Sequence, residues 1–226
     1  MEILIASANV GKVREFRQML GAERFTWRDL AECNDTHPVE ETGRTFRANA
    51  CLKASQYALR HRTWALADDS GLEVDALGGK PGVTSARWAE IHGTGRGDAN
   101  NNITLLQQLE NVPDDARSAR FVCVLALSDP AGRVILTARD TVEGTILRSA
   151  RGSNGFGYDP LFYVAELGKT TAELSAEQKH AISHRGKALR LLRELMETAR
   201  VPSEGSPIRE GMPLSPSRGG RGSRRE

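Results

Sequence analysis

No stretch of about 18 consecutive apolar residues occurs in this chain of 226 residues, so nothing in it is expected to span a membrane. No secretory leader is expected either, because the N-terminal apolar run Ile3-Leu4-Ile5-Ala6 is too short and follows Glu2. Cysteine is scarce: Cys33, Cys51 and Cys123 are odd in number, show no metal-ligand spacing and fit a reducing compartment. The cytoplasm is the expected location. Positive charge is in excess only on paper. The formal +2 comes from Pro202 to Glu226, where five Arg face three Glu, while residues 1–201 carry 26 charges of each sign. That neutrality argues against a stable nucleic-acid partner. Pro, Gly and Ser supply 14 of the last 25 residues, which leaves the tail 202–226 almost nothing apolar to bury and reads as disorder. Internal repeats are absent, and residues 1–201 are expected to form the folded domain.

What is present is an alternation of strands and helices. Glu2 to Ala6 reads as a buried strand. Val10, Val13, Phe16, Met19 and Leu20 recur near helical spacing, with Asn9 as N-cap. A second helix is expected from about Thr45 to Arg60, with Phe46, Asn49, Ala50, Lys53 and Tyr57 close together on one face. Trp64 to Ala67 is a short strand, Gly78 to Asp98 a glycine-rich surface loop, and Asp98 to Leu109 a helix with Ile103, Leu106 and Leu109 inward. Arg120–Leu127 and Val134–Ala138 read as a hairpin around Asp129-Pro130-Ala131-Gly132, followed by a separate strand from Val142 to Leu147. In this reading Cys123, alternating within an apolar run, is a core thiol. A last helix runs from Ser183 to Ala199. The hairpin makes the sheet mixed, so the class is α/β.

Five constellations carry chemistry. Asp68-Asp69-Ser70-Gly71 reads as an acidic tip at a strand end; such a place suits Mg²⁺ or water activation, while this segment alone reads first as a plain turn. Ser7-Ala8-Asn9-Val10-Gly11-Lys12 opens a helix, where free N–H groups and a lysine favour an anion, although no Walker A spacing exists. Asn49 and Lys53 lie one turn apart on a mostly apolar face and need partners if buried. Gly155-Phe156-Gly157-Tyr158-Asp159-Pro160 flanks an aromatic ring with glycines, so that Phe156 could stack on a base. Lys179-His180-Ala181-Ile182-Ser183-His184-Arg185 places basic residues where a helix N-terminus disfavours them, with His184 and Arg185 free to meet a ligand.

The order of these segments resembles the inosine/xanthosine triphosphate pyrophosphatase family over roughly residues 2–197. The likeness is carried by 7–12, Glu41-Thr42-Gly43 through Ala54, Ala67 to Leu72, Pro81 to Arg87, Gly155 to Pro160, Thr171 to Leu174 and Ser183 to Leu189. It implies an elongated mixed β-sheet with flanking helices forming two lobes around a cleft, usually in a homodimer. It also implies Asp69 as general base and Mg²⁺ ligand, with Glu40 or Glu41 as the other metal-site acid. Ser7, Ala8, Asn9, Val10, Gly11, Lys12, Lys53 and Ser70 would hold the triphosphate. Phe156, Gly157, Tyr158, Asp159, Lys179, His184 and Arg185 would surround base and sugar. Asp68 is left without a task. Ala8 stands where glycine is common and Ala150 where proline is frequent; neither change removes a catalytic group. The implied activity is Mg²⁺-dependent hydrolysis of ITP, dITP or XTP to monophosphate and pyrophosphate. The alternatives are a pyrophosphatase for modified pyrimidine or methylated nucleotides, or a non-enzymatic nucleotide- or RNA-binding module.

Overall fold

Ile3, Leu4 and Ile5 give β1 (Glu2–Ile5) an unbroken apolar run, and all three are buried, as a strand covered on both faces requires. The computed structural model describes residues 1–20 and 25–199; the tail 202–226 lies outside the described residues. Strand β1 pairs in parallel with β2 (Thr26–Asp29) and with β3 (Trp64–Val74). Past β3 the sheet becomes antiparallel through β5 (Ser118–Ser128), β6 (Val134–Ile146), β7 (Phe162–Val164) and β8 (Lys169–Thr170). The two-residue β4 (Lys80–Pro81) pairs back on β3. The class is mixed α/β, as expected.

Helices cover both faces. On one side α2 (Phe46–His61) packs Phe46, Ala50, Ala54, Tyr57 and Ala58 on Leu4, Ala65, Ala67, Val122 and Val124. On the other, α1 (Val10–Met19) and α6 (His184–Thr198) bring Phe16, Leu189, Leu192 and Met196 onto Ile3, Ile5, Leu66, Cys123 and Leu125. A third cluster fills the far end of the sheet, where Leu105 of α4 (Gly97–Gln108) and Leu109 at its C-cap meet Leu72, Phe121, Val142 and Phe162. The short α3 (Trp88–Ile91) packs on α4, and α5 (Ala176–Ile182) leads into α6.

Five local expectations need correction. Strand β3 does not stop at Ala67; it runs on to Val74, because ten consecutive residues pair with β5 from Ala65↔Ser128 to Val74↔Ala119. Likewise β6 is one strand across Arg139 and Asp140, which sit opposite Val124 and Cys123 with buried residues only at Ala138, Val142 and Ile146. The segment 78–98 is structured: β4, a 3-10 stretch over Gly82–Arg87 and α3 bury Ser85, Trp88 and Ala89. On α4 the inward face carries Asn101, Thr104 and Leu105 while Ile103 is 52 % exposed. Asn101 turns inward because its side chain holds the Ala89 N–H and the Ala86 carbonyl. Finally, Val10 is exposed and takes no part in the stripe of α1.

Candidate active site

Alternation along β3 sends the two neighbouring carboxylates to opposite faces of the sheet. Asp68 lies on the side of Leu66, towards α1 and α6; Asp69 lies on the side of Ala65 and Ala67, towards α2. Strand β1 ends at Ile5, opposite Leu66, so both acids sit just past its carboxyl end, where ligands collect in open α/β sheets. The pair is therefore a divided mid-strand site and not an acidic tip.

Asp68 is buried and paired. Lys12 of α1 approaches its Oδ1 at 2.7 Å and Arg185 of α6 its Oδ2 at 3.1 Å. Burial alone would raise its pKa, but Lys12, Arg185 and Lys53 outweigh burial and hold the carboxyl well below the usual range. Asp69 behaves differently. Lys53 Nζ lies 3.3 Å from its Oδ1, and the Asn49 amide donates to its Oδ2 at 3.1 Å. The same ammonium is 2.6 Å from Glu41 Oε1, so two carboxylates share one cation. Burial pushes the Asp69 carboxyl above its ordinary range; Lys53 opposes the shift and Glu41 reinforces it. Asn49 also accepts the Gly43 N–H at 2.7 Å, which ties the Glu40–Glu41 segment to Asp69 through one side chain.

The turn from Ser7 to Lys12 is capped as its sequence requires. Asn9 Oδ1 accepts the Lys12 N–H at 3.0 Å, and Ser7 Oγ accepts the Asn9 N–H at 3.3 Å. Val10 and Gly11 open the helix, where backbone N–H groups have no partner one turn earlier. Gly11 backs directly onto Phe156, whose ring would lie 3.0 Å from an added Cβ.

On the other side of the site, Lys179 bridges Glu15 at 3.0 Å and Asp159 at 2.6 Å, and Arg185 pairs with Glu15 and donates to Ser70 Oγ at 2.8 Å. Both cations lie near the Phe156 ring, with Lys179 Nζ 5.0 Å and the Arg185 guanidinium 5.8 Å from its centre. Ser183 caps α6 as expected, but Arg185 and His184 are not free: both are buried, and Arg185 is committed to Glu15, Asp68 and Ser70. His184 stacks on Phe121 with ring centres 5.0 Å apart, and its buried Nδ1 has no protein partner. Burial, helped by Arg185 and Lys179, drops its pKa well below the usual histidine value, so the ring is neutral at pH 7. Tyr158 is buried, with its hydroxyl on the Ser85 carbonyl at 2.9 Å.

A cavity of about 500 Å³ joins the two sides. It is lined by every expected site residue except Val10 and Gly11, and Glu40 and Glu41 both face it. Among the described residues no three His, Cys, Asp or Glu side chains gather as a metal cage. The sequence does not single out Glu15, and it leaves Asp68 without a task. The available signal for Glu15 was its position three residues after Lys12 and beside Phe16, on a helix already read as packed.

Fold and site together define an α/β enzyme, with cations from three helices converging on a divided acid pair in one deep cavity. The chain belongs to the Ham1 family, whose model matches residues 3–195. A protein of Exiguobacterium sibiricum named dITP/XTP pyrophosphatase is 48 % identical over 198 residues, covering 88 % of this chain and 98 % of that protein. The structure of the Staphylococcus aureus Ham1 protein matches with a TM-score of 0.77 at 43 % identity, over 88 % of this chain and 100 % of that one. A Mycobacterium abscessus structure named nucleoside-triphosphatase / dITP/XTP pyrophosphatase gives a TM-score of 0.68 at 42 % identity, over 85 % and 98 % of the respective chains. The family expected from the motifs is the family found.

Proposed function

We propose that this chain hydrolyses the deaminated purine nucleoside triphosphates ITP, dITP and XTP between the α- and β-phosphates. It releases the monophosphate and pyrophosphate and so removes these nucleotides from the pool. The names of its relatives support the reading. The structural observation that carries it is Asp69, a buried carboxylate with a raised pKa in a cavity that also presents Lys12, Lys53 and the Phe156 ring.

Asp69 accepts the proton of the attacking water, a role its raised pKa suits. The triphosphate lies along Ser7 to Lys12, where the first amides of α1 and the Lys12 ammonium meet its oxygens. Lys12 and Lys53 each retain donors beyond their carboxylate pairs and stabilise charge that builds on the phosphates. Asp69 and one of Glu40 and Glu41 would hold Mg²⁺: carboxylate oxygens suit a hard cation, and Glu41 and Asp69 are already arranged around one positive charge that only partly neutralises them. When bound, Mg²⁺ supplies neutralisation of the leaving pyrophosphate.

Base choice falls to the opposite end. His184, a neutral ring in the cavity wall, and Arg185 border this end and present the polar edge that the base would meet. A 6-keto purine offers that edge an acceptor, whereas adenine's amino group would leave donors there unpaired. A homodimer acting in the cytoplasm, with no stable nucleic-acid partner, completes the proposal. For the membrane, among the described residues no helix is long and apolar enough to cross one.

The test is a substrate panel with Mg²⁺ present and absent. Pyrophosphate release from ITP, dITP and XTP should exceed release from ATP and GTP by on the order of 10²-fold in kcat/KM. A folded Asp69→Asn protein should lose about 10²- to 10⁴-fold in kcat. Equal rates with ATP refute the selectivity, and near-normal turnover by Asp69→Asn refutes the role of Asp69.

A further inference from the structure

The Phe156 ring is carried by a loop, yet the peptides on both sides of it are held. On one side the Phe156 N–H donates to Asp159 Oδ2 at 2.8 Å, and Asp159 is fixed by Lys179 at 2.6 Å. On the other side Gly157 is gripped twice from α4. Asp98 Oδ2 accepts the Gly157 N–H at 2.7 Å, and Asn102 Nδ2 donates to the Gly157 carbonyl at 2.8 Å. Positions 98 and 102 are one helical turn apart, so consecutive turns of one helix hold the donor and the acceptor of one residue. Gly157 has φ of 63°, a left-handed conformation that other side chains seldom adopt, and two outside hydrogen bonds fix it there.

The helix behind this grip is itself anchored. Asn101, between the two gripping residues, accepts the Ala89 N–H at 2.8 Å and donates to the Ala86 carbonyl at 3.2 Å. Next to that segment, Ser85 takes the Tyr158 hydroxyl on its carbonyl, and its own Oγ accepts the Leu72 N–H of β3 at 2.9 Å. The far side of the Phe156 loop is thus referred back to the strand that carries Asp68 and Asp69. A ring that must discriminate between similar purines needs its plane held within about 10–20°, and a loop restrained on one side only would let it rock.

We propose that Asp98 and Asn102 are positioning residues that set purine selectivity, by fixing the plane of Phe156 through both polar groups of Gly157. The proposal rests on the reading of this site as one for deaminated purine triphosphates. Asp98 also lines the cavity, but the hydrogen bonds of both side chains run to Gly157 beside Phe156, so their loss acts on base binding and leaves the hydrolytic step in place.

Steady-state kinetics with ITP, XTP and GTP on the whole chain test this, using Asn102→Ala, Asp98→Ala and Asp98→Asn, with Asn100→Ala as control. Asn100 lies on the same helix, but its amide holds the Arg96 carbonyl and not the loop. Each alanine variant at 98 or 102 should raise KM for ITP about five- to tenfold, the size of one lost hydrogen bond. The preference for ITP over GTP should fall by a similar factor, and kcat should stay within about twofold. Asp98→Asn keeps an acceptor oxygen for the Gly157 N–H and should recover most of the loss; it also keeps the test open if Asp98→Ala does not fold. Unchanged KM and unchanged preference in Asn102→Ala and in the Asp98 variants, or a fall in kcat with KM intact, overturn the proposal. If the wild-type chain shows no preference for ITP, the functional reading fails and the proposal falls with it. If the wild type prefers ITP and the variants keep that preference, the proposal alone fails.

Discussion

Glu15 keeps two cations together inside the protein. Lys179 and Arg185 both point at its carboxylate, and with Asp68 and Asp159 they form a chain of alternating charge beneath Phe156. Burial alone would raise the Glu15 pKa; the two cations reverse that and hold it low. Removing one partner from such a buried set leaves uncompensated charge, which typically costs 3–5 kcal/mol. Glu15→Gln, which retains an acceptor oxygen, should lower unfolding free energy by about 3 kcal/mol, read as a lower denaturant midpoint at unchanged m-value. KM for ITP should rise as well, because Lys179 and Arg185 lose their shared restraint. This network is only half legible in the sequence. Basic residues at the start of α6 read as free to meet a ligand, whereas Arg185 is held by Glu15 and Asp68 of the protein itself. The distance between Glu15 and Arg185 is 170 positions, beyond any local pattern.

At the scale of elements, the faces of helices were readable and the ends of strands were not. The stripe Phe46, Asn49, Ala50, Lys53, Tyr57 is buried on α2 in full, because helical spacing is a property of the segment itself. From the sequence β3 reads short because Asp-Asp-Ser-Gly has turn chemistry, whereas pairing with β5 carries the strand straight through it. Gly71 marks where that pairing demands space. An added Cβ there would meet Ser85 Oγ, the Gly82 carbonyl oxygen at 2.6 Å and Phe46 at 3.0 Å. The carbonyl is backbone and cannot rotate aside. Gly71→Ala should therefore destabilise the protein by about 1–3 kcal/mol, the usual range for overpacking, measured by denaturant unfolding. A variant as stable as wild type would show that the 82–87 segment yields freely.

At the scale of the whole molecule, the segment bearing Glu40 and Glu41 is tied to the end of α2 by Asp35. That carboxylate takes Arg60 at 2.9 Å, His61 at 2.7 Å and the His37 N–H at 2.9 Å. Burial would raise its pKa, but these partners together lower it well below the usual aspartate value. A depressed folded-state pKa adds stability that is fully present above the unfolded value, near 3.9, and is lost as pH falls towards the folded value. Asp35→Asn should melt below wild type by a steady margin from pH 7 to about pH 5, and the margin should shrink below about pH 4. A margin independent of pH would place the effect in packing and not in charge.

The sequence by itself determined the α/β class, the caps at Asn9 and Ser183, the buried face of α2, the core thiol Cys123 and the family. Each of these depends on neighbours within a turn or two, or on the order of short motifs. Only the tertiary structure decided that Asp68 and Asp69 part to opposite faces. It also decided that Lys53 is shared by Asp69 and Glu41, and that Gly157 is gripped from α4. Those outcomes depend on which distant strand or helix comes to lie alongside, because hydrogen bonds and ion pairs act over a few ångströms and join residues wherever the chain brings them together.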